Sequence, residues 1–306
     1  MMRALLVLSL SLAAVLHAQN VAITPDGADL KIEIGGQLFT RYATTGSQRP
    51  HMYPVIGPSG APLTRTYPIE NKEDHPHHSS IWFAHGSVNG TDFWLDGEKA
   101  GTIKHTGFSD VKAEGSTGSF VARSQWVKPN GSEVLTDERH ITITALPDNA
   151  RQIDFEIKLI AGAEDVTFED TKEGSMAIRV APCLSIKEGK GRIITSTGKE
   201  DKKVWGKKAE WVCYYGADPK GEPVTITMMD HPSNLRHPTT WHARDYGLFA
   251  SNPFGLHDFE KSDDKTKGNH TIKAGSSLTQ KYRIVLQKGE PNPAAFNAAF
   301  QAFAKP

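Results

Sequence analysis

Apolar and polar residues alternate with a period of two along most of this chain, in short runs divided by Gly, Pro, Asn and Asp. Residues 29–34 and 37–43 alternate on either side of Gly35-Gly36, the pattern of a hairpin closed by a glycine turn. Further strand patterns fall at 118–127, 139–145, 152–160, 176–181, 192–195, 224–229, 247–251 and 278–286. Clusters such as Pro129-Asn130-Gly131 and Pro147-Asp148-Asn149 mark chain reversals between them. This spacing predicts an all-β fold, a large antiparallel β-sandwich built as a single domain over residues 19–306. No stretch has the composition of an interdomain linker. One segment carries the helical period instead: after Pro293, Phe296, Phe300 and Phe303 recur at i, i+4 and i+7, which predicts a short C-terminal helix laying its aromatic face on the sandwich. The lysine-rich stretch 199–208 reads as a solvated hairpin tip.

The first residues have a different character. Arg3 precedes a run from 4 to 16 of almost entirely Ala, Leu, Val and Ser, and polar sequence begins at His17, so 1–18 reads as a secretory signal peptide. The expected location is periplasmic or secreted. No later stretch approaches the roughly 20 apolar residues of a membrane span. Lys plus Arg equals Asp plus Glu, at 35 each, which removes the basic footprint of a nucleic-acid binder. Cys183 and Cys213 are the only cysteines; they are able to pair in an oxidising compartment, while Cys213 beside Trp211, Val212, Tyr214 and Tyr215 equally suits a buried thiol.

Candidate chemistry concentrates in two histidine-rich segments. The first runs Asp74-His75-Pro76-His77-His78 and continues to Trp82, His85, Asn89 and Trp94; the second runs Asp230-His231-Pro232 and continues to His237, Trp241-His242 and Arg244. Histidine is both the titratable group nearest neutral pH and the commonest metal ligand. If 79–84 is a strand, His78 and Trp82 share one face while His77 and His85 share the other, the latter two about 26 Å apart at ~3.3 Å per residue. After the second segment, His242, Arg244 and Tyr246 form a polar row that a core would not select. A carboxylate stands at Glu173, before the strand that contains Arg179, and Gly174 permits close approach there. Trp82 and Trp94 offer flat faces for a sugar ring. Nucleophile-elbow, Walker, dinucleotide and His-Glu-x-x-His motifs are absent.

Taken together, the strings Asp74-His75-Pro76-His77-His78, Trp82-Phe83-Ala84-His85-Gly86, Asp230-His231-Pro232, Arg236-His237-Pro238, Trp241-His242 and Asn252-Pro253-Phe254-Gly255 resemble a bacterial family labelled "methane oxygenase PmoA", over nearly the whole mature chain. Ser79-Ser80 stand where that family has Arg-Gly. Methane monooxygenase subunits are integral membrane proteins, and a chain without a span after residue 18 is not expected to oxidise methane. The resemblance implies a galactose-mutarotase-like supersandwich, an architecture that handles sugars with histidine and carboxylate as acid and base.

These readings lead to an exported carbohydrate-active protein, an epimerase, lyase or glycoside-cleaving enzyme. His78 and His242 exchange protons, Glu173 acts as base, and His75, His77, His85, Trp82, Asn89, Trp94, Arg179, His231, His237 and Arg244 contact a small-molecule or glycan substrate. No cofactor is required in that reading. Two alternatives stay open: a copper or zinc oxidoreductase or hydrolase with loop histidines as ligands, and a periplasmic glycan-binding module.

Overall fold

Two eight-stranded antiparallel sheets carry the chain in this computed structural model, which describes residues 19–70 and 73–305. The leader expected over 1–18 lies outside the described residues. In spatial order the first sheet is Val21–Asp26, Asp29–Ile34, Gln37–Ala43, His51–Met52, Ile81–His85, Gly174–Arg179, Leu248–Ser251 and Trp241–Ala243. The second is Arg192–Thr195, Trp211–Ala217, Pro223–Asp230, Ser277–Lys288, Arg151–Ile160, Glu133–Ala145, Thr117–Val127 and Thr102–Glu114. A two-stranded pair, Val166–Phe168 with His270–Ile272, stands apart from both. Among the described residues no helix is long and apolar enough to cross a membrane.

Alternation explains the second sheet. In Arg151–Ile160 the residues Ile153, Phe155, Ile157 and Leu159 are buried, while their neighbours Gln152, Asp154, Glu156 and Lys158 are not. Each inward row meets the first sheet: Trp126 packs on Phe83 with ring centroids 6.4 Å apart, and Tyr214 stacks on Phe249 at 4.6 Å. Face-to-face sheets of this kind bury one row from each strand between them. The hairpin over 29–43 and the strand over 192–195 lie where the alternation put them.

The first sheet departs from simple alternation at its centre. Ile81–His85, Gly174–Arg179 and Leu248–Ser251 are buried at every residue, so both faces are covered, one by the second sheet and the other by loops. Those loops build the candidate site. On the far side of the molecule the second sheet is covered by the helix Pro293–Phe303, where Phe296 and Phe300 pack with Trp211, Cys213, Met229 and Val285. Asn292 caps this helix by accepting from the Ala295 N–H, and proline opens its first turn. Both cysteines are free thiols.

Two segments differ from the sequence pattern. Thr102–Glu114 is a long edge strand whose outer half is exposed and whose register shifts twice, so it shows no alternation to read. In the lysine-rich stretch Lys199, Glu200, Lys202 and Lys203 are exposed, as expected of a solvated tip, and so are Lys207 and Lys208. The chain after Lys203 packs back with Val204 buried and runs along the edge of the first sheet, where the Trp241 N–H reaches the Lys207 carbonyl.

Candidate active site

Strand register places the floor of the site. Trp82, Ala177, Ala250 and His242 are successive cross-strand partners on the loop-covered face of the first sheet, so about 14 Å of backbone separates Trp82 from His242 at ~4.8 Å per strand. The two residues between them are alanines. Room above so small a floor is taken by rings from the covering loops. His78 stacks on Trp82 at 5.3 Å, His75 stacks on His78 at 4.8 Å with the planes 17° apart, and Tyr246 stacks on His75 at 4.8 Å. Trp94 closes on Trp82 at 5.0 Å, and the Arg179 guanidinium lies 4.7 Å from the Tyr246 ring centre.

Asp74 wires this array together. Its Oδ2 accepts from Arg65 and Arg179, each at 2.9 Å, and its Oδ1 lies 2.8 Å from His75 Nδ1. Burial opposes ionisation of Asp74, but His75, Arg179 and Arg65 outweigh it and hold the carboxyl below its usual range. With Nδ1 donating to Asp74, His75 presents Nε2 as a lone pair on a ring that is 42% exposed. His78 has the opposite tautomer. Arg179 Nη1 donates to His78 Nδ1 at 3.1 Å, so the His78 proton sits on Nε2. Burial, then the neighbouring His77 and Arg179, push His78 well below the ordinary imidazole range and keep it neutral. Burial followed by Arg49 likewise lowers His77 to about 3.

At the other end of the row, His242 Nδ1 donates to the Lys172 carbonyl at 2.9 Å. Its Nε2 is buried without a partner, and burial lowers the ring to about 3. Glu173 Oε2 stands 4.0 Å from His242 Nδ1, with Lys172 Nζ 3.3 Å from the other carboxylate oxygen. Burial raises the Tyr246 phenol to about 12. Other polar atoms of this face also lack partners: the indole nitrogens of Trp82 and Trp94, the Nε of Arg65 and Arg179, and Ser175 Oγ. Unmatched buried polar groups are rare in folded proteins.

Two further arginines shape the wall, and no motif announced either. Arg49, fully buried, donates to the carbonyls of His77, Phe93 and Leu95 and pairs with Asp96. Arg65 donates to the carbonyls of Asp74 and His75. Their only sequence signal is a charged residue inside a stretch that otherwise reads as proline-punctuated loop, in Arg49-Pro50 and Thr64-Arg65-Thr66.

Of the residues selected from sequence, His75, His77, His78, Trp82, Trp94, Glu173, Arg179, His242 and Arg244 lie on this face. The others stand elsewhere. His85 points to the core side of its strand, between Phe168 and Phe254, its Nε2–H donating to the Glu169 carbonyl. Asn89 ties a turn, its Oδ1 accepting from Thr167 N and its Nδ2 donating to the Asp165 carbonyl. The second histidine segment divides because the chain crosses from the second sheet to the first between Asp230 and Trp241. His237 pairs with Asp230 at 2.8 Å and stacks on Phe300, and His231 packs edge-on against Phe303, both under the C-terminal helix.

Copper or zinc fits this arrangement poorly. Among the described residues no three His, Cys, Asp or Glu side chains are grouped to hold a metal ion, and His75 and His78 meet face to face rather than aiming nitrogens at one point.

Comparison with curated proteins finds no match. Among solved structures, the chain is similar to a beta-arabinopyranosidase at 10% identity and TM-score 0.39, covering 89% of this chain and 38% of that one. It is similar to an alpha-galactosidase from Lactobacillus brevis at 7% identity and TM-score 0.41, covering 92% and 41%. A GalM/aldose epimerase homologue from C. elegans matches at 8% identity and TM-score 0.35, covering 90% of this chain and all of that one. The chain thus spans about two fifths of the length of the first two. Nothing in these matches carries the methane-oxygenase label that the histidine strings suggested. A family model described as a family of unknown function matches residues 29–301, and the chain belongs to that family, DUF6807.

Proposed function

We propose that this protein is an acid-base enzyme acting on a sugar, moving a proton at a carbonyl or anomeric centre. The observation that carries the reading is the Asp74-His75 dyad, in which a carboxylate fixed by two arginines orients an imidazole whose Nε2 is left free and accessible. Such an imidazole serves as a general base. In the proposed reaction His75 Nε2 takes the substrate proton, and the electron pair moves onto the substrate oxygen. His78 Nε2–H donates a hydrogen bond to that oxygen, and the proton held on His75 Nε2 then returns to the substrate from the same nitrogen, while the Glu173 carboxylate beside His242 accepts a hydrogen bond from a substrate hydroxyl. Neutral His78 suits this role better than proton exchange, since Arg179 occupies its other nitrogen. Trp82 and Trp94 do not offer the sugar faces expected from sequence, because both are fully buried, with His78 stacked on Trp82 and Trp94 closed against it. The half-buried Tyr246 and Arg244 beside His75 are the groups a sugar ring would meet.

Hydrolysis by paired carboxylates is supported less well, because a glycosidase needs two available carboxyl groups across the bond. Asp74 is engaged by Arg65, Arg179 and His75, which leaves Glu173 alone. A glycan-binding module is the second reading, favoured by the partly exposed His75, Tyr246 and Arg244, which would hold a sugar without turning it over. With the leader expected over 1–18, the enzyme would work outside the cytoplasm.

Proton NMR of aldoses and keto-sugars incubated with the protein in D2O tests the proposal. Catalysed anomer interconversion or carbon-bound deuterium uptake, lost in His75→Ala, is the expected result. Saturable sugar binding with no catalysed exchange on any substrate would replace the enzyme by the binding module.

A further inference from the structure

Arg244 stands out by what it lacks. The other arginines among the described residues each place their guanidinium in a hydrogen bond or an ion pair with the protein. Arg244 makes neither; its contact is with the Tyr246 ring, 5.5 Å from guanidinium carbon to ring centre. The residue is half-buried, so its fork is held in place without being matched. It borders a hollow of about 200 Å³ at the edge of the first sheet, lined also by Lys202, Trp205, Ala243 and Asp245. Trp205 is braced edge-on by Phe259 at 5.4 Å, and its indole nitrogen has no partner.

We propose that this hollow is a second subsite, which takes the carboxylate of an acidic sugar on Arg244 with the sugar ring against Trp205. The proposal deepens the acid-base reading and rests on it for the sugar. A guanidinium presents parallel N–H donors that match a carboxylate in two bonds, and an indole face or edge suits the apolar side of a pyranose. Charge selects the anion. Lys202 pairs with Asp245 at 3.1 Å, so the two cancel and the hollow keeps the single positive charge of Arg244. One positive charge balances a carboxylate, whereas a phosphate monoester near neutral pH carries close to two negative charges. Through Tyr246 the same arginine adjoins the ring array of the main site, so a ligand longer than one ring would reach both.

Titration calorimetry of the full chain with methyl glucuronide, methyl glucoside and glucose 6-phosphate tests this. The expected result is at least about tenfold tighter binding of the glucuronide than of the glucoside, from one charge-assisted bidentate pair. Arg244→Met should bring that ratio close to one, and Trp205→Ala should weaken both methyl glycosides together. Equal affinity of the wild type for glucuronide and glucoside, or a preference that survives in Arg244→Met, overturns the subsite. Tighter binding of glucose 6-phosphate than of the glucuronide overturns the carboxylate assignment. The two readings fail separately: glucuronide preference without catalysed exchange removes the enzyme and keeps the subsite, and exchange on neutral sugars without the preference does the reverse.

Discussion

His85 should make the fold acid-sensitive in a measurable way. Its ring is fully buried on the core side of the first sheet, and burial lowers it from the ordinary 6.5 to about 4, the bond to the Glu169 carbonyl only partly opposing this. At pH 5 the unfolded chain holds nearly one proton on this residue and the folded chain about a tenth of one. Stability rises with pH wherever the unfolded state binds more protons, so the contribution of neutral His85 is complete above about pH 6.5 and is lost as pH falls towards about 4. Integrated from pH 8 to pH 5, the loss is about 2 kcal/mol. Urea unfolding of wild type and His85→Leu at both pH values isolates it. Lost packing and the lost carbonyl contact shift the variant at both pH values alike and cancel. The wild type should therefore lose about 2 kcal/mol more than the variant on acidification. Equal losses in the two proteins would refute the assignment of this acid sensitivity to His85.

His75→Ala should lower turnover on an active sugar by roughly 10²–10⁴, the range for a general base, while the melting temperature moves little because the ring is substantially exposed. Asp74→Asn should damage both properties, since it strips the counter-charge from the buried Arg65 and Arg179; a cost of about 2–4 kcal/mol is expected, and unchanged denaturant midpoints would contradict the wiring. Phe300→Ala should cost about 3 kcal/mol by emptying the cluster beneath the C-terminal helix, read by the same unfolding titration. Exhaustive chelation should leave the thermal transition in place; its collapse would restore the metal reading.

Much of the sandwich was legible because one face of most strands is buried and the other is wet, which prints a period of two directly on the sequence, as in Arg151–Ile160. Thr102–Glu114 was not legible, because an edge strand exposed over its outer half has no face to mark. The same physics governs the site. Parity alone could place only Trp82 on the site face. His78 precedes the strand, which begins at Ile81 after Ser80 at φ 72, and the same parity put His77 with His85 although His77 stands against His75 and His78. Arg244 and Tyr246 lie in the turn after the strand Trp241–Ala243 rather than in an alternating row. The separation of His231 and His237 from the site could not be read either, since it depends on which sheet each strand joins. Arg49 and Arg65 were silent because they act on backbone carbonyls, and a carbonyl is present at every residue whatever its side chain.

That last property has a consequence for how such a wall can change. Arg49 gathers the 77 and 93–96 turns by their main chain, and Arg65 gathers 74–75 in the same manner, so loop shape is set by two cations and is largely independent of the side chains the loops display. Outward positions such as Leu95, 45% exposed, are free to be exchanged without redrawing the path of the chain. Shape and chemistry are thereby entrusted to different atoms. Relatives that keep the two arginines can acquire new ligand preferences one side chain at a time, on a rim whose outline stays fixed.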